Sequence, residues 1–224
     1  AVVTGASGAV GGAIAKELTA AGATVVLVGR RREALMETAA KIGGGEPIVC
    51  DVSQEADVVN LFAEVKTRFG PCDLLINSAG IMNAATPLVD LTAETFASLF
   101  AVNVQGSFLC SREAFKHMIA PRDLDVHMEE CLDGDAPPAP RGGRIVNVGS
   151  IAAFSPRRHG AAYATSKAAL QGLTRSLALD GRDHGIAVGV IHPGNIISEL
   201  LSPEEVARRR ATEGLLAPED VAAS

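Results

Sequence analysis

Tryptophan is absent from this 224-residue chain, and aromatic residues make up only 4% of it. Its interior must be filled by smaller side chains, and the abundant alanine, valine and glycine suit helices packed closely on a sheet. A basic excess is also missing. The formal net charge is −6, which argues against a nucleic-acid partner, whose binding surface would be basic. Cys50, Cys72, Cys110 and Cys131 form no Cys-x-x-Cys pair. They read as reduced, mostly buried thiols of a cytoplasmic protein. The histidines do not join them at ligand spacing, so no metal site is expected. No apolar run approaches the length needed to span a bilayer, so no membrane association is expected. The chain opens on Ala1-Val2-Val3-Thr4, already inside a strand pattern and without an initiator methionine. An organelle-targeting peptide upstream would therefore go unseen.

What the chain does have is a rhythm. Apolar runs at 1–4, 24–28, 47–50, 73–77, 144–148 and 186–191 predict strands. Between them Val10, Ile14 and Leu18 recur at helical spacing, and helices are expected over 32–41, 54–69, 92–101, 104–119 and 160–180. Continuous apolar strands separated by helices mean βαβ units and a parallel sheet covered on both faces. Right-handed crossovers then favour an α/β, Rossmann-type doubly wound sheet of three layers, with strand order 3-2-1-4-5-6. The length fits a single domain over 1–224. Residues 120–143 are acidic and proline-rich with no sustained period. They read as an inserted surface loop at the sheet edge opposite the ligand crevice.

Between the first strand and the first helix stand Gly5, Gly8, Gly11 and Gly12. Gly5 allows a tight turn, a glycine inside the loop lets backbone N–H groups approach a pyrophosphate, and Gly11 lets helix and strand pack closely. The helix N-terminus faces the phosphates with the positive end of its dipole. At the end of the second strand an acidic residue would hold the ribose hydroxyls of NAD. This chain has Gly29, Arg30, Arg31 and Arg32 there. Guanidinium groups suit a 2′-phosphate, so NADP(H) is favoured over NAD(H). The bland alternative is a solvated basic start to a helix.

Further on, Tyr163-Ala164-Thr165-Ser166-Lys167 places a phenol and an ammonium one helical turn apart on one face. A phenol normally releases its proton near pH ~10, and a nearby cation lowers that value. Tyr163 is thus expected to work as an acid or base near neutral pH.

Taken in order, these residues resemble the short-chain dehydrogenase/reductase family in its short form, over nearly the whole chain apart from 120–143. TGASGAVG at 4–11 stands at the cofactor turn, and Asp51 and Val52 in CDV at 50–52 border the adenine. NSAG at 77–80 resembles the family's NNAG, and VNVQG at 102–106 carries Asn103 at the catalytic asparagine. VNVGS at 146–150 ends on Ser150, with Tyr163 and Lys167 at the usual spacing after it. HPGNIIS at 192–198 resembles the motif beside the nicotinamide, with Ser198 where threonine is common. The resemblance implies cofactor contacts at Gly5, Ser7, Gly8, Val10, Gly11, Arg30, Arg31, Asp51, Val52, Asn77, Ala79, Gly80, Tyr163, Lys167, Pro193, Gly194, Ile196 and Ser198. The departures are Ala9 where a glycine is usual, Ser78 for an asparagine, and Gly189 for another. Ala9 is expected to narrow the pyrophosphate site, with Gly8 compensating. The chain also stops at APEDVAAS, and the family's seventh strand is read as missing.

The resemblance implies chemistry as well. Tyr163 exchanges a proton with a carbonyl or alcohol oxygen, Lys167 lowers the phenol's pKa and bonds the nicotinamide ribose, and Ser150 bonds the reacting oxygen. Asn103 holds a water that links Lys167 to solvent. The expected function is an NADP(H)-dependent carbonyl reductase or alcohol dehydrogenase acting on a small molecule, assembled as a homodimer or homotetramer. A 3-oxoacyl-carrier-protein reductase is the alternative, and a non-catalytic NADP-binding regulator ranks below both. Arg157, Arg158 and His159 read either as a solvated run or as an attractor of anionic substrates at the site's mouth. Arg208, Arg209 and Arg210 read as a solvated helix face. His192, held extended before Pro193, is assigned no chemistry.

Overall fold

The computed structural model describes residues 1–119, 142–196, 204, 206–207 and 214–223. The strands are β1 (Val2–Thr4), β2 (Val26–Gly29), β3 (Glu46–Val49), β4 (Leu74–Asn77), β5 (Gly143–Val148) and β6 (Ile186–Ile191). They pair in parallel in the order β3-β2-β1-β4-β5-β6, the order expected from the βαβ rhythm. The helices are α1 (Ala9–Ala20), α2 (Arg32–Ile42), α3 (Glu55–Phe69), α4 (Ala93–Phe100), α5 (Gly106–Ile119), α6 (Ala161–Asp180) and a short α7 (Pro218–Ala222). The stretch 120–143 read as an insertion ends inside β5, because Gly143 already pairs with Ile186. Residues 120–141 lie outside the described residues, as do Cys131, Ser198 and the arginines at 208–210.

Alternation along the strands feeds two cores. Val2, Val26, Val28, Leu75 and Ile145 point to one face and meet Val58, Leu61, Phe62 and Val65 of α3 with Leu109, Cys110 and Ala114 of α5. Val3, Leu27 and Ile76 point to the other and meet Ile14 and Ala15 of α1 and Leu35 of α2. Neighbouring residues thus serve opposite layers, which is why the strands read as unbroken apolar runs. Cys50, Cys72 and Cys110 are free and buried. Burial pushes the Cys50 thiol up to about 12 and the Cys72 thiol to about 11, so neither forms a thiolate at neutral pH.

The helices read separately over 92–101 and 104–119 are joined by a wide π-turn, Ala101–Gln105. The extra residue in that turn swings Asn103 inward to complete burial. A sequence period cannot announce such a turn, since the apolar spacing is helical on both sides of it.

At the far end of α5, His117 closes the gap to the start of β4. Its ring meets Phe62 edge-on at 5.5 Å, and its Nδ1 accepts the Cys72 N–H at 3.2 Å. Only the neutral imidazole with its proton on Nε2 can accept that bond. Burial lowers the His117 pKa, Lys66 lowers it further, and Glu113 opposes them. A base with a depressed folded pKa stabilises the fold fully above its unfolded value of ~6.5, and that contribution is lost as pH falls through the folded value. Melting curves should show it. Between neutral pH and the acid side of ~6.5, the parent should lose about 1 kcal/mol, or a few degrees, relative to His117→Asn, which keeps an acceptor without titrating. Parallel curves for the two proteins would remove His117 from acid sensitivity.

Candidate active site

The strand order reverses between β1 and β4, and the crevice opens at their carboxyl ends. Thr4 ties the two strands together there. Its hydroxyl accepts N–H bonds from Ser78 and Ala79, both at 3.1 Å, and donates to the Ile76 carbonyl at 3.3 Å. The loop after β4 therefore crosses directly over Gly5. Gly5 has φ +65, and a Cβ on it would sit 2.8 Å from the Ala79 backbone. Only glycine meets both demands. A Cβ on Gly11 would collide with the Gly5 carbonyl, so the helix can approach the turn only at a residue without a side chain. Ala9, by contrast, is the first residue of α1 and simply lines the crevice.

The crevice holds a cavity of about 400 Å³. Of the expected cofactor residues, Gly5, Ser7, Gly8, Val10, Gly11, Arg30, Arg31, Asp51, Val52, Ala79, Gly80 and Ile196 line it. Ala9, read from the sequence as narrowing the pyrophosphate site, lines it too, and so do Gly29, Cys50, Ser78, Ile81 and Val102, which were not among the expected contacts. Arg30 and Arg31 are exposed, and neither guanidinium makes an ion pair or side-chain hydrogen bond among the described residues. Arg32 turns away, toward a groove shared with Glu46, Glu64 and Arg68. The Asp51 carboxylate accepts from the Ser53 N–H at 3.0 Å and the Ser53 hydroxyl at 2.7 Å, which fixes its orientation at the cavity wall.

Asn77 does not line the cavity. It is buried, and its amide donates to Ser111 at 3.0 Å and to the Asn147 side chain at 2.9 Å. Asn147 passes the chain of bonds to Thr174 on α6 at 2.9 Å. This polar seam joins β4, β5, α5 and α6 beneath the crevice. The alternation of β4 explains the difference: Asn77 shares the α5-facing side with Leu75, two residues earlier.

Past the cavity, the remaining residues come together around Gly80. Asn103 Oδ1 accepts the Ile81 N–H at 2.8 Å, and its amide donates to the Ile81 carbonyl at 3.0 Å and to Ser166 at 2.9 Å. The Asn103 carbonyl accepts the Ser107 hydroxyl at 2.9 Å. Asn103 is thus a clamp between the loop after β4, the π-turn and α6. With both amide hydrogens committed, a bridging water would have to be a donor to Asn103, either to Oδ1 or to its main-chain carbonyl. Lys167, 6% exposed, donates to the Val148 carbonyl at 2.8 Å. Its Nζ and Asn103 Oδ1 both lie within 3.5 Å of the point where a Gly80 Cβ would stand.

Ser150 follows the last pair of β5, with Gly149 between them. Its Oγ accepts the Ala152 N–H at 3.2 Å, leaving the hydroxyl proton free to donate. Tyr163 lies on the first turn of α6, and Lys167 Nζ is 5.8 Å from its ring centre. Burial raises the phenol's pKa, and a hydrogen bond with Ser150 partly offsets this. The net direction is upward, against the expectation that Lys167 draws it down. The ammonium is held by Val148, and the cost of a buried phenolate dominates. Burial brings Lys167 itself down from 10.5 to about 8. Pro193 and Gly194 do not line the cavity. The Pro193 carbonyl instead accepts the Ile151 N–H at 3.0 Å, extending the β5–β6 ladder.

His192, given no role from the sequence, sits against the site. Its Nδ1 is 3.0 Å from the Ser150 carbonyl oxygen and 3.3 Å from the Ser150 nitrogen. A signal was available. β5 and β6 pair Val148 with Ile191, which sets residue 192 beside Gly149, where the missing side chain makes room for a ring. Arg157 bonds the Asn195 side chain at 2.7 Å, joining the loops after β5 and β6.

The chain is similar in sequence to known proteins. A family profile described as short chain dehydrogenase matches residues 1–208. A 3beta-hydroxysteroid dehydrogenase of Mediterraneibacter gnavus is 36% identical over 205 residues, 89% of this chain and 66% of that protein. An L-fucose dehydrogenase of Oryctolagus cuniculus is 31% identical, covering 89% of this chain and 63% of that one. A 3-oxoacyl-acyl-carrier-protein reductase of Rickettsia bellii is 31% identical, covering 99% and 85%. The chain thus spans just under two thirds of the length of the hydroxysteroid and fucose dehydrogenases. With the glycine turn, the crevice at the strand reversal and the matching profile in place, the chain belongs to the short-chain dehydrogenase/reductase family.

Proposed function

We propose that this chain is an NADP(H)-dependent oxidoreductase that interconverts a carbonyl and a secondary alcohol. The observation that carries the reading is the meeting of the Tyr163 phenol with the Ser150 hydroxyl and, 5.8 Å from the phenol ring, the buried Lys167 ammonium, which in turn reaches Gly80 at the wall of the glycine-lined cleft. The cradle suits a nicotinamide dinucleotide: Gly5 and Gly11 let the turn, the loop after β4 and α1 close on one another where a Cβ would strike backbone, and the first turn of α1, which faces the cleft, carries no acidic residue. Gly5, Ser7, Gly8, Val10 and Gly11 would hold the pyrophosphate, Asp51 and Val52 the adenine end, and Arg30 and Arg31 a 2′-phosphate. When bound, the cofactor supplies or accepts the hydride.

The chain's own residues do the rest. Ser150 donates a hydrogen bond to the substrate's carbonyl oxygen and orients it. Tyr163, whose raised pKa keeps it protonated at neutral pH, gives its proton to that oxygen. Lys167, protonated below about 8, stabilises the phenolate left behind, which regains its proton from solvent. In the alcohol-oxidising direction the same phenol must first be ionised, so that direction should accelerate as pH rises. Exposed Met82, Ile151 and Phe154 flank Ser150 and Ile81 in the chain and suit an apolar substrate body. A carrier-borne 3-oxoacyl group is the second reading, favoured by exposed Arg158 on the same loop. A non-catalytic regulator would have no use for the complete Ser150–Tyr163–Lys167 set.

Initial rates with NADPH and NADH, over ketones, diketones and 3-oxoacyl thioesters, test the reading. NADPH should be preferred. Replacing Arg30 and Arg31 together by alanine removes charge-assisted bonds of about 1.5–3 kcal/mol each. KM for NADPH should then rise at least about ten-fold, with NADH kinetics unchanged. An unchanged NADPH KM would sink the 2′-phosphate assignment.

A further inference from the structure

Ser150 hangs from the end of β5, where the sheet no longer holds it on both sides. β4 stops pairing at Asn77 opposite Asn147. β6 takes the amides on either side of Ser150, Gly149 bonding Ile191 at 2.7 Å and Ile151 bonding Pro193 at 3.0 Å. The Ser150 carbonyl also accepts the Ala153 N–H at 3.0 Å. For the Ser150 N–H, the partner among the described residues is His192 Nδ1.

The histidine is itself seated firmly. Its ring fills the place of a Gly149 side chain: a Cβ there would stand 2.5 Å from Nδ1 and 2.7 Å from Cε1. The ring of Phe154 meets it edge-on at 4.7 Å. Nδ1 reaches the Ser150 main chain in either neutral tautomer, accepting from the N–H or donating to the carbonyl. Backbone position sets where a short serine side chain can reach, and a misplacement near 1 Å is enough to lower a rate about a hundred-fold.

We propose that His192 is the positioning residue for Ser150: seated in the gap left by Gly149, its Nδ1 fixes the main chain from which the Ser150 hydroxyl reaches the substrate oxygen. The proposal rests on the role given to Ser150 above. It makes Gly149 a requirement of the site, because any larger residue displaces the ring.

Asparagine places a polar atom where histidine has Nδ1, and glutamine places one nearer to Nε2, so the two variants separate the nitrogens. In the intact protein, His192→Ala and His192→Gln should lower kcat about ten- to a hundred-fold, with KM for NADPH unchanged. His192→Asn should restore most of the rate. In a Ser150→Ala background, His192→Ala should cause no further loss, since it acts through the missing hydroxyl. Glutamine performing as well as asparagine, or an additive loss in the Ser150→Ala background, overturns the proposal. A second measurement is independent of turnover. In 15N-labelled protein, the Ser150 amide should shift and exchange faster in His192→Ala and His192→Gln than in the parent and His192→Asn. If the parent reduces no carbonyl, the reductase reading fails on its own, and the amide decides the clasp: an amide indifferent to His192→Ala ends it.

Discussion

Tyr163→Phe is expected to lower turnover by about three orders of magnitude, within the range that positioned acid–base groups contribute, while NADPH still binds. The substitution removes one oxygen and keeps the ring. Tyr163 does not line the cleft that would hold most of the dinucleotide, so affinity for NADPH should hardly move. Stability should move little either, because the loss is one hydrogen bond to Ser150, about 1 kcal/mol. The composition offers a direct check. Tyr163 is the only tyrosine in the chain and tryptophan is absent, so ultraviolet titration of phenolate reports this residue alone. Its midpoint should lie above the ordinary value of 10.0. A midpoint below it would show that Lys167 outweighs burial, and retained turnover in the variant would take the proton-transfer role away from Tyr163.

Most of the fold was legible because the strands are buried on both faces. Val2 and Val3, or Leu75 and Ile76, serve opposite cores, so successive positions in the middle of the sheet had to be apolar and the runs stood out. Boundaries moved by a residue or two where pairing, not composition, decides them, as when Gly143 joins β5. The glycine turn was legible for a related reason. Gly5 and Gly11 are required by backbone collisions, which leave no freedom in residue type, whereas Ala9 faces open space and could vary.

What escaped the sequence depends on direction and depth. Asn77 sits in a motif associated with cofactor contact, yet strand alternation turns it into the seam with Ser111 and Asn147. Asn103 was identified, but the π-turn that buries it was not, and that turn commits its amide to Ile81 and Ser166. The pairing of Tyr163 with Lys167 was read as two side chains on one helix face. Seen in place, Lys167 is drawn to a carbonyl at the end of β5, and burial sets both pKa directions. Spacing alone carries no information about burial, and burial is the larger effect here.

Lys167→Met should therefore separate activity from stability. At the catalytic end the variant loses the cation that stabilises a phenolate, and turnover should fall by about three orders of magnitude. The fold, however, is relieved of a buried ammonium. Lowering the Lys167 pKa from 10.5 to about 8 corresponds to a burial cost on the order of 3 kcal/mol, at about 1.4 kcal/mol per unit. Methionine fills similar volume without a charge, but orphans the Val148 carbonyl, at a cost of about 1–3 kcal/mol. The net expectation at neutral pH is a gain on the order of 1 kcal/mol, or a few degrees in melting temperature. The pH dependence follows from the same numbers. Lys167 has a depressed folded pKa, so between about 8 and 10.5 the unfolded chain binds more protons than the native one, and the parent's stability rises with pH relative to the variant. The advantage of methionine should be full below about pH 8, vanish within the window, and give way near 10.5 to a deficit of about 1–3 kcal/mol, the cost of the orphaned Val148 carbonyl. Melting curves of the two proteins across that window decide the matter. A variant less stable at neutral pH, or a difference indifferent to pH, would mean that the protein stabilises the Lys167 ammonium instead of straining it.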